Sequence, residues 1–125
     1  MKKSHMVQSP NDQRLYQPLT LDNGLRVLLV QQQDAEKSAA AMAVNVGHFD
    51  DPSDREGLAH FLEHLVFLGS EKFPQSGEYQ QFIANNGGSH NAWTGTEHSS
   101  FFFDIDTNFF ADALDRFADM FCQPL

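Results

Sequence analysis

Cysteine is almost absent from this sequence: Cys122 is the only one in 125 residues. That excludes an internal disulfide framework and any CxxC metal or redox motif. Basic residues are also scarce. Eight Lys and Arg stand against 17 Asp and Glu, a formal charge of −9, which argues against a nucleic-acid partner and against polybasic attachment to anionic lipid. No uncharged apolar stretch approaches the roughly 20 residues that cross a bilayer, so no membrane span is expected. Lys2 and Lys3 are not followed by the apolar run of a signal peptide, which makes the cytoplasm the default compartment. No repeat, low-complexity tract or interdomain linker interrupts the chain, and its length fits one domain. What the sequence does have is 12 Phe, two Tyr and one Trp, large side chains with which a short chain can fill a core.

Residues 1–14 (MKKSHMVQSPNDQR) are polar and aperiodic, and read as a flexible leader. From Leu15 the pattern becomes structured. Leu19 and Leu21 alternate with polar residues up to Asp22-Asn23-Gly24, a strong turn signal, after which residues 26–31 (RVLLVQ) complete a hairpin. A polar connection leads to a strand of small residues over 39–47, with Met42, Val44 and Val46 on one alternating face. Residues 48–56 (HFDDPSDRE) read as a loop. A helix is expected over 57–68 with Gly69 as its stop, and a second over 77–85 with Ser76 as its N-cap. Two strands, 89–95 and 99–105, follow as a hairpin around Gly95-Thr96-Glu97. A last helix, capped by Thr107, carries Phe109, Phe110, Ala113, Leu114, Phe117, Met120 and Phe121 at helical spacing. This order predicts an α+β fold, a mixed, largely antiparallel sheet with helices packed on one face.

The chemistry lies in the first helix. His60, Glu63 and His64 spell H-x-x-E-H, and at about 100° per residue all three project within a sector of roughly 100°. Phe67 falls in the same stripe, while Leu58, Leu62, Leu65 and Val66 occupy the opposite side. Two imidazoles one turn apart can reach one zinc ion at about 2.0–2.1 Å. A glutamate beside the second histidine can reach a water on that metal and move its proton to a leaving amine. This is the inverted form of the H-E-x-x-H zincin string. Six His in 125 residues make a chance occurrence of roughly 1% per chain. The string alone still leaves a blander reading open, an i,i+4 histidine pair and a glutamate forming a polar notch.

The run GLAHFLEHLVFLGSEKFP, then GEYQQFIANNGGSHNAWTGTEHSSFFFDI, then ALDRFADMFCQPL resembles the insulinase/pitrilysin family of zinc metallopeptidases. The resemblance spans residues 15–125 and rests on H-x-x-E-H combined with a downstream Gly-x-x-Asn-Ala-x-Thr strand. It implies His60 and His64 as ligands of one zinc ion per site and Glu63 as general base. It further implies that Asn91, Ala92, Trp93 and Thr94 form a sheet edge to which substrate backbone adds as another strand. Phe67 and Trp93 match positions lining the pocket beside the scissile bond; for Trp93 ordinary core packing is an equal reading. Members of the family fold as repeated α+β domains paired into a clamshell around peptide substrates, and bacterial relatives can be exported, which makes the periplasm an alternative compartment.

A catalytic zinc takes three protein ligands. The resemblance puts the third, a glutamate, on a helix roughly 75–80 residues beyond the motif, near position 140. The expectation is therefore an N-terminal piece of a peptidase domain, truncated before its third ligand, whose partners are peptides and the remainder of its own chain or a partner half. The runner-up is a non-catalytic structural or peptide-binding relative; a small-molecule zinc hydrolase would lack the edge strand. His90 reads as a surface variation, His98 as a structural hydrogen-bonding group near the hairpin, Gly87 and Gly88 as turn-formers, and Cys122 as a buried small apolar residue. His48 with Asp50, Asp51 and Asp54 reads as a solvated acidic loop.

Overall fold

In the computed structural model, which describes residues 7–125, the chain divides into a unit ending at Ala35 and a second unit, Glu36–Leu125. The first six residues of the expected leader lie outside the described residues. Within residues 7–14 short-range bonds are present. The Asp12 carboxylate accepts from the Arg14 guanidinium at 2.8 and 2.9 Å and from the Tyr16 hydroxyl at 2.5 Å. These donors, Arg14 first, hold its pKa well below the ordinary carboxylate range.

The first unit is the expected hairpin. β1 (Leu15–Thr20) pairs antiparallel with β2 (Arg26–Gln31), from Leu15↔Gln31 to Thr20↔Arg26. The turn closes where Asp22-Asn23-Gly24 places it, with Gly24 N–H donating to Leu21 O at 2.9 Å and Asn23 Oδ1 accepting from Leu25 N–H at 3.0 Å. This hairpin is a two-stranded sheet of its own, so the chain builds two antiparallel sheets where one was expected. β1 and β2 satisfy each other's ladder, and the polar 32–36 connector follows.

The second unit contains β3 (Lys37–Val44), α1 (Leu58–Val66), α2 (Glu78–Asn85), β4 (Ser89–Thr94), β5 (Ser99–Asp106) and α3 (Phe110–Cys122). The strands form an antiparallel sheet in the order β3-β5-β4, leaving β4 at an edge. Alternation decides which strand is central. Ser99, Phe101, Phe103 and Ile105 of β5 are buried on one face, where they meet Tyr79 and Ile83 of α2 and Ala113, Phe117 and Met120 of α3. Phe103 and Phe117 pack edge-on with centroids 5.2 Å apart, as do Phe101 and Phe121 at 5.1 Å, the arrangement that aromatic quadrupoles favour. On β3 the half-buried residues are Ser38, Ala40, Met42 and Val44, the face read from the sequence. Val46 lies beyond the strand and is exposed.

Several boundaries differ from expectation. α1 ends at Val66 with Phe67 as its C-cap; Gly69 has no positive φ and instead runs into a bridge between Ser70 and Pro124. The N-cap of α2 is Gly77, not Ser76. Thr107 opens a short 3-10 turn whose cap is the Asp106 carboxylate, accepting from Asn108 N–H at 2.8 Å; α3 follows from Phe110. Cys122 is exposed, because two residues beyond buried Met120 is about 200° around the helix, on the outer side with Asp115 and Ala118. Among the described residues no helix is long and apolar enough to cross a membrane.

The alternation on β5 makes a direct prediction. Phe103→Ala removes a 1% exposed ring and is expected to cost about 3–5 kcal/mol in denaturant unfolding. Phe102→Ala, on the opposite face and exposed, is expected to cost well under half of that. Equal losses would contradict the assigned faces.

Candidate metal centre

The site begins with the loop that launches α1. Gly47 approaches the β4–β5 turn so closely that a Cβ there would lie 2.5 Å from Gly95 O. His48 N–H and Phe49 N–H donate to Gly95 O and Thr96 O, each at 2.9 Å. Asp50 returns to accept from Gly47 N–H at 2.9 Å. Asp51 spans the start of the helix: Oδ2 accepts from Gly57 N–H at 2.7 Å and Oδ1 from Ala59 N–H at 2.8 Å. Gly57, the N-cap, has φ +89° and no side chain to cap with, so Asp51 satisfies two of the orphan donors of the first turn. These N–H bonds, Ala59 first, lower its pKa. Of the loop acids expected to be solvated, Asp54 is exposed, whereas Asp50 closes the preceding turn and Asp51 fastens the helix. Sequence reasoning missed Asp51 because its cap acts from eight residues before Ala59, outside the local N-cap pattern.

On α1 the side turned inward is the one carrying Ala59 and Glu63, both buried, while Leu58, Phe61, Leu62 and Leu65 are exposed. The small Ala59 side chain permits close approach. Glu63, at 8% exposure, is received by the edge strand: the Thr94 hydroxyl donates to its Oε2. Beside it opens an apolar cleft of about 270 Å³ that includes Val44, Leu62, Val66, Phe101 and Phe121.

His60 and His64 are exposed, and their Nε2 atoms stand 3.1 Å apart. Two imidazole ligands of a tetrahedral zinc at about 2.05 Å would be separated by roughly 3.3 Å, so the pair fits such an ion. Ligand atoms of His60, Glu63 and His64 all lie within 4.8 Å of one another. Among the described residues this is the one cluster of at least three His, Cys, Asp or Glu that could hold a metal. His48 packs edge-on to His60 with centroids 6.3 Å apart but is not in the cluster.

The remaining sequence candidates are distributed along β4. Thr94 and Ala92 lie on the helix-covered side, while Asn91 and Trp93 are exposed on alternate positions. Asn91 Oδ1 accepts from Ala92 N–H at 2.9 Å. Trp93 is 45% exposed, outside the core formed by these 125 residues; its ring stacks edge-on against His98, 4.7 Å between centroids. His98 therefore contributes a ring contact, and its backbone carbonyl accepts from Gly95 N–H at 2.8 Å to close the hairpin. Phe67 joins an aromatic cluster with Tyr79, His90 and Phe101, centroids 5.6–5.9 Å away. His90 is accordingly half-buried, not a surface variation, and burial pushes its pKa down.

Comparison with known proteins identifies relatives of the chain. The sequence matches the family Insulinase (Peptidase family M16) over residues 26–125. It is 44% identical over 122 residues to the insulin-degrading enzyme of Homo sapiens, covering 98% of this chain and 12% of that protein. It is 50% identical over 114 residues to insulin-degrading enzyme-like 2 of Arabidopsis thaliana, covering 91% and 12%. The structure is similar to the crystal structure of pitrilysin, with TM-score 0.95 and 40% identity over 98% of this chain and 13% of that one. The chain thus spans about an eighth of the length of these relatives.

The Asp51 cap can be tested by stability against pH. A carboxylate with a lowered folded pKa stabilises above its unfolded value, and that contribution is lost as pH falls through the folded one. Asp51→Ala is expected to lower the thermal midpoint at pH 7, with the gap to the parent narrowing as pH falls below the carboxylate range. A gap independent of pH would remove the charge-assisted cap.

Proposed function

The chain belongs to the insulinase family of peptidases, family M16, and from that premise we propose that it carries the metal-binding part of a zinc-dependent endopeptidase acting on peptides and small unfolded polypeptides. The observation that carries this reading is the convergence of His60, Glu63 and His64 on one side of α1, with ligand atoms within 4.8 Å. His60 and His64 would hold the ion through Nε2. Bound zinc supplies Lewis acidity, lowering the pKa of a water toward about 7 and polarising a carbonyl. Glu63 takes the proton from the attacking water and returns it to the leaving amine. Its burial beside an apolar cleft keeps that carboxylate in a poorly solvated place, where electrostatic interactions are stronger than in water.

Peptide recognition is assigned to β4. Among the described residues it pairs with β5 alone, which leaves its outer side to a substrate strand along Asn91, Ala92, Trp93 and Thr94, with little dependence on sequence; the Asn91 side chain, which accepts from Ala92 N–H, would give up that bond to the incoming strand. The exposed Trp93 ring offers apolar surface for a side chain beside the scissile bond; Phe67, packed with Tyr79, His90 and Phe101, offers a second apolar surface. A catalytic zinc takes three protein ligands. Two imidazoles are present and Glu63 serves as base, so the third ligand is proposed to come from outside these 125 residues, as are the groups that close a chamber around the peptide.

The test is hydrolysis of an internally quenched peptide by the protein in its full natural length, loaded with zinc. Turnover is expected, with loss on chelation. Glu63→Gln is expected to lower kcat by about 10²–10⁴ with zinc content retained, and His60→Ala to lose the metal. The 125-residue chain alone is expected to bind zinc weakly and turn over little. Undiminished turnover by Glu63→Gln would overturn the general-base assignment. Robust turnover by the 125-residue chain would overturn the external third ligand.

A further inference from the structure

Glu63 has two carboxylate oxygens, and the fold treats them differently. Oε2 accepts from the Thr94 hydroxyl, whereas Oε1 has no hydrogen-bond partner among the described residues. A hydroxyl carries one hydrogen, and an ionised carboxylate can only accept, so Thr94 is the donor. Ser99, registered directly opposite Thr94 on β5, does not compete for Oε2. Its own hydrogen goes to Val46 O at 2.9 Å, and its oxygen stands 3.5 Å from Thr94 Oγ1. Thr94 is the last residue of β4, held by the ladder on one side. The donor is therefore fixed to the sheet and the acceptor to the helix.

Resting on the reading above, we propose that Thr94 is a positioning residue for the general base. Its side chain holds Oε2 so that the proton is taken up and released at Oε1 alone. The proton balance supports this division. When Glu63 receives a proton at Oε1 it becomes a neutral acid, Oε2 keeps its lone pairs, and the Thr94 hydrogen bond persists. When the proton leaves to the amine, the carboxylate is restored with the same bond in place. The carboxylate need not rotate during the cycle. A glutamate side chain on α1 without this tether would sample several rotamers, and misplacement of a reacting group by about 1 Å can cost 10²-fold in rate. The role is carried by the hydroxyl and is separate from any backbone contact β4 makes with a peptide.

Two variants of the full-length zinc protein test this, together with a measurement on the metal-free form. Thr94→Val keeps the shape and removes the hydroxyl; it is expected to lower kcat by about 10–100-fold with KM and zinc content close to the parent. Thr94→Ser keeps the hydroxyl and is expected to recover most of that loss. In the Glu63→Gln background, Thr94→Val is expected to add little. In metal-free protein, the thermal-midpoint changes of Thr94→Val and Glu63→Ala, each of which removes the bond, are expected to be non-additive, since the two share it. A Thr94→Val kcat within twofold of the parent, a loss expressed mainly in KM, failure of serine to rescue, or additive midpoint changes would each overturn the positioning role while leaving the peptidase reading standing. A parent protein that hydrolyses no peptide with zinc would overturn the peptidase reading first, and the positioning role with it.

Discussion

A carboxylate buried at the edge of an apolar sheet must find a donor or lose its charge, and the site depends on how Glu63 meets that demand. Its donor is Thr94 at the end of β4. Thr94 is positioned because β4 pairs with β5, and β5 is positioned because Phe101, Phe103 and Ile105 fill the core beneath α2 and α3. The aromatic core thus reaches the chemistry in three contacts, from buried rings to central strand to edge hydroxyl to base. The histidines need no such burial. Once Glu63 is held inward, His60 and His64 are placed outward by helical geometry, one turn apart, with Nε2 atoms 3.1 Å from each other.

The same constraint explains an orientation that hydrophobicity alone would not choose. α1 turns Ala59 and Glu63 inward and leaves Leu58, Phe61, Leu62 and Leu65 exposed. Two polar anchors hold this orientation. Asp51 grips the first turn through Gly57 and Ala59 N–H, and Thr94 grips the second turn through Glu63. A helix of nine residues held at two successive turns has little freedom to roll.

Much of this was legible in the sequence. Residues 99–105 read as one strand of a hairpin, the Asp22-Asn23-Gly24 turn placed the first hairpin, and H-x-x-E-H placed three groups on one side of a helix. Such signals are local and periodic, and periodicity survives without knowledge of partners. What could not be read was which stripe of an all-round apolar helix faces the sheet, because that depends on Asp51 and Thr94, which lie seven residues before Leu58 and 31 residues beyond Glu63. Cys122 shows the same limit. Its composition favours burial, but its angle on α3, set by Phe117 and Met120, puts it outside. His90 errs in the opposite direction: a polar residue on an edge strand, it is drawn in by the rings of Phe67 and Tyr79.

The edge position of β4 reconciles two demands that would otherwise conflict. An edge strand presents unpaired backbone groups, a liability in most folds, yet an interior strand could not accept a peptide. Alternation along β4 separates the tasks by residue. Ala92 and Thr94 turn toward the helices, where Thr94 anchors Glu63, while Asn91 and Trp93 stay exposed. Among the described residues no further strand pairs with its outer side, where the Asn91 amide oxygen accepts from Ala92 N–H. On the proposed reading, the Thr94 side chain holds the base while the backbone of the same six-residue strand receives the peptide, so that the pleat of one strand would set the distance between the two.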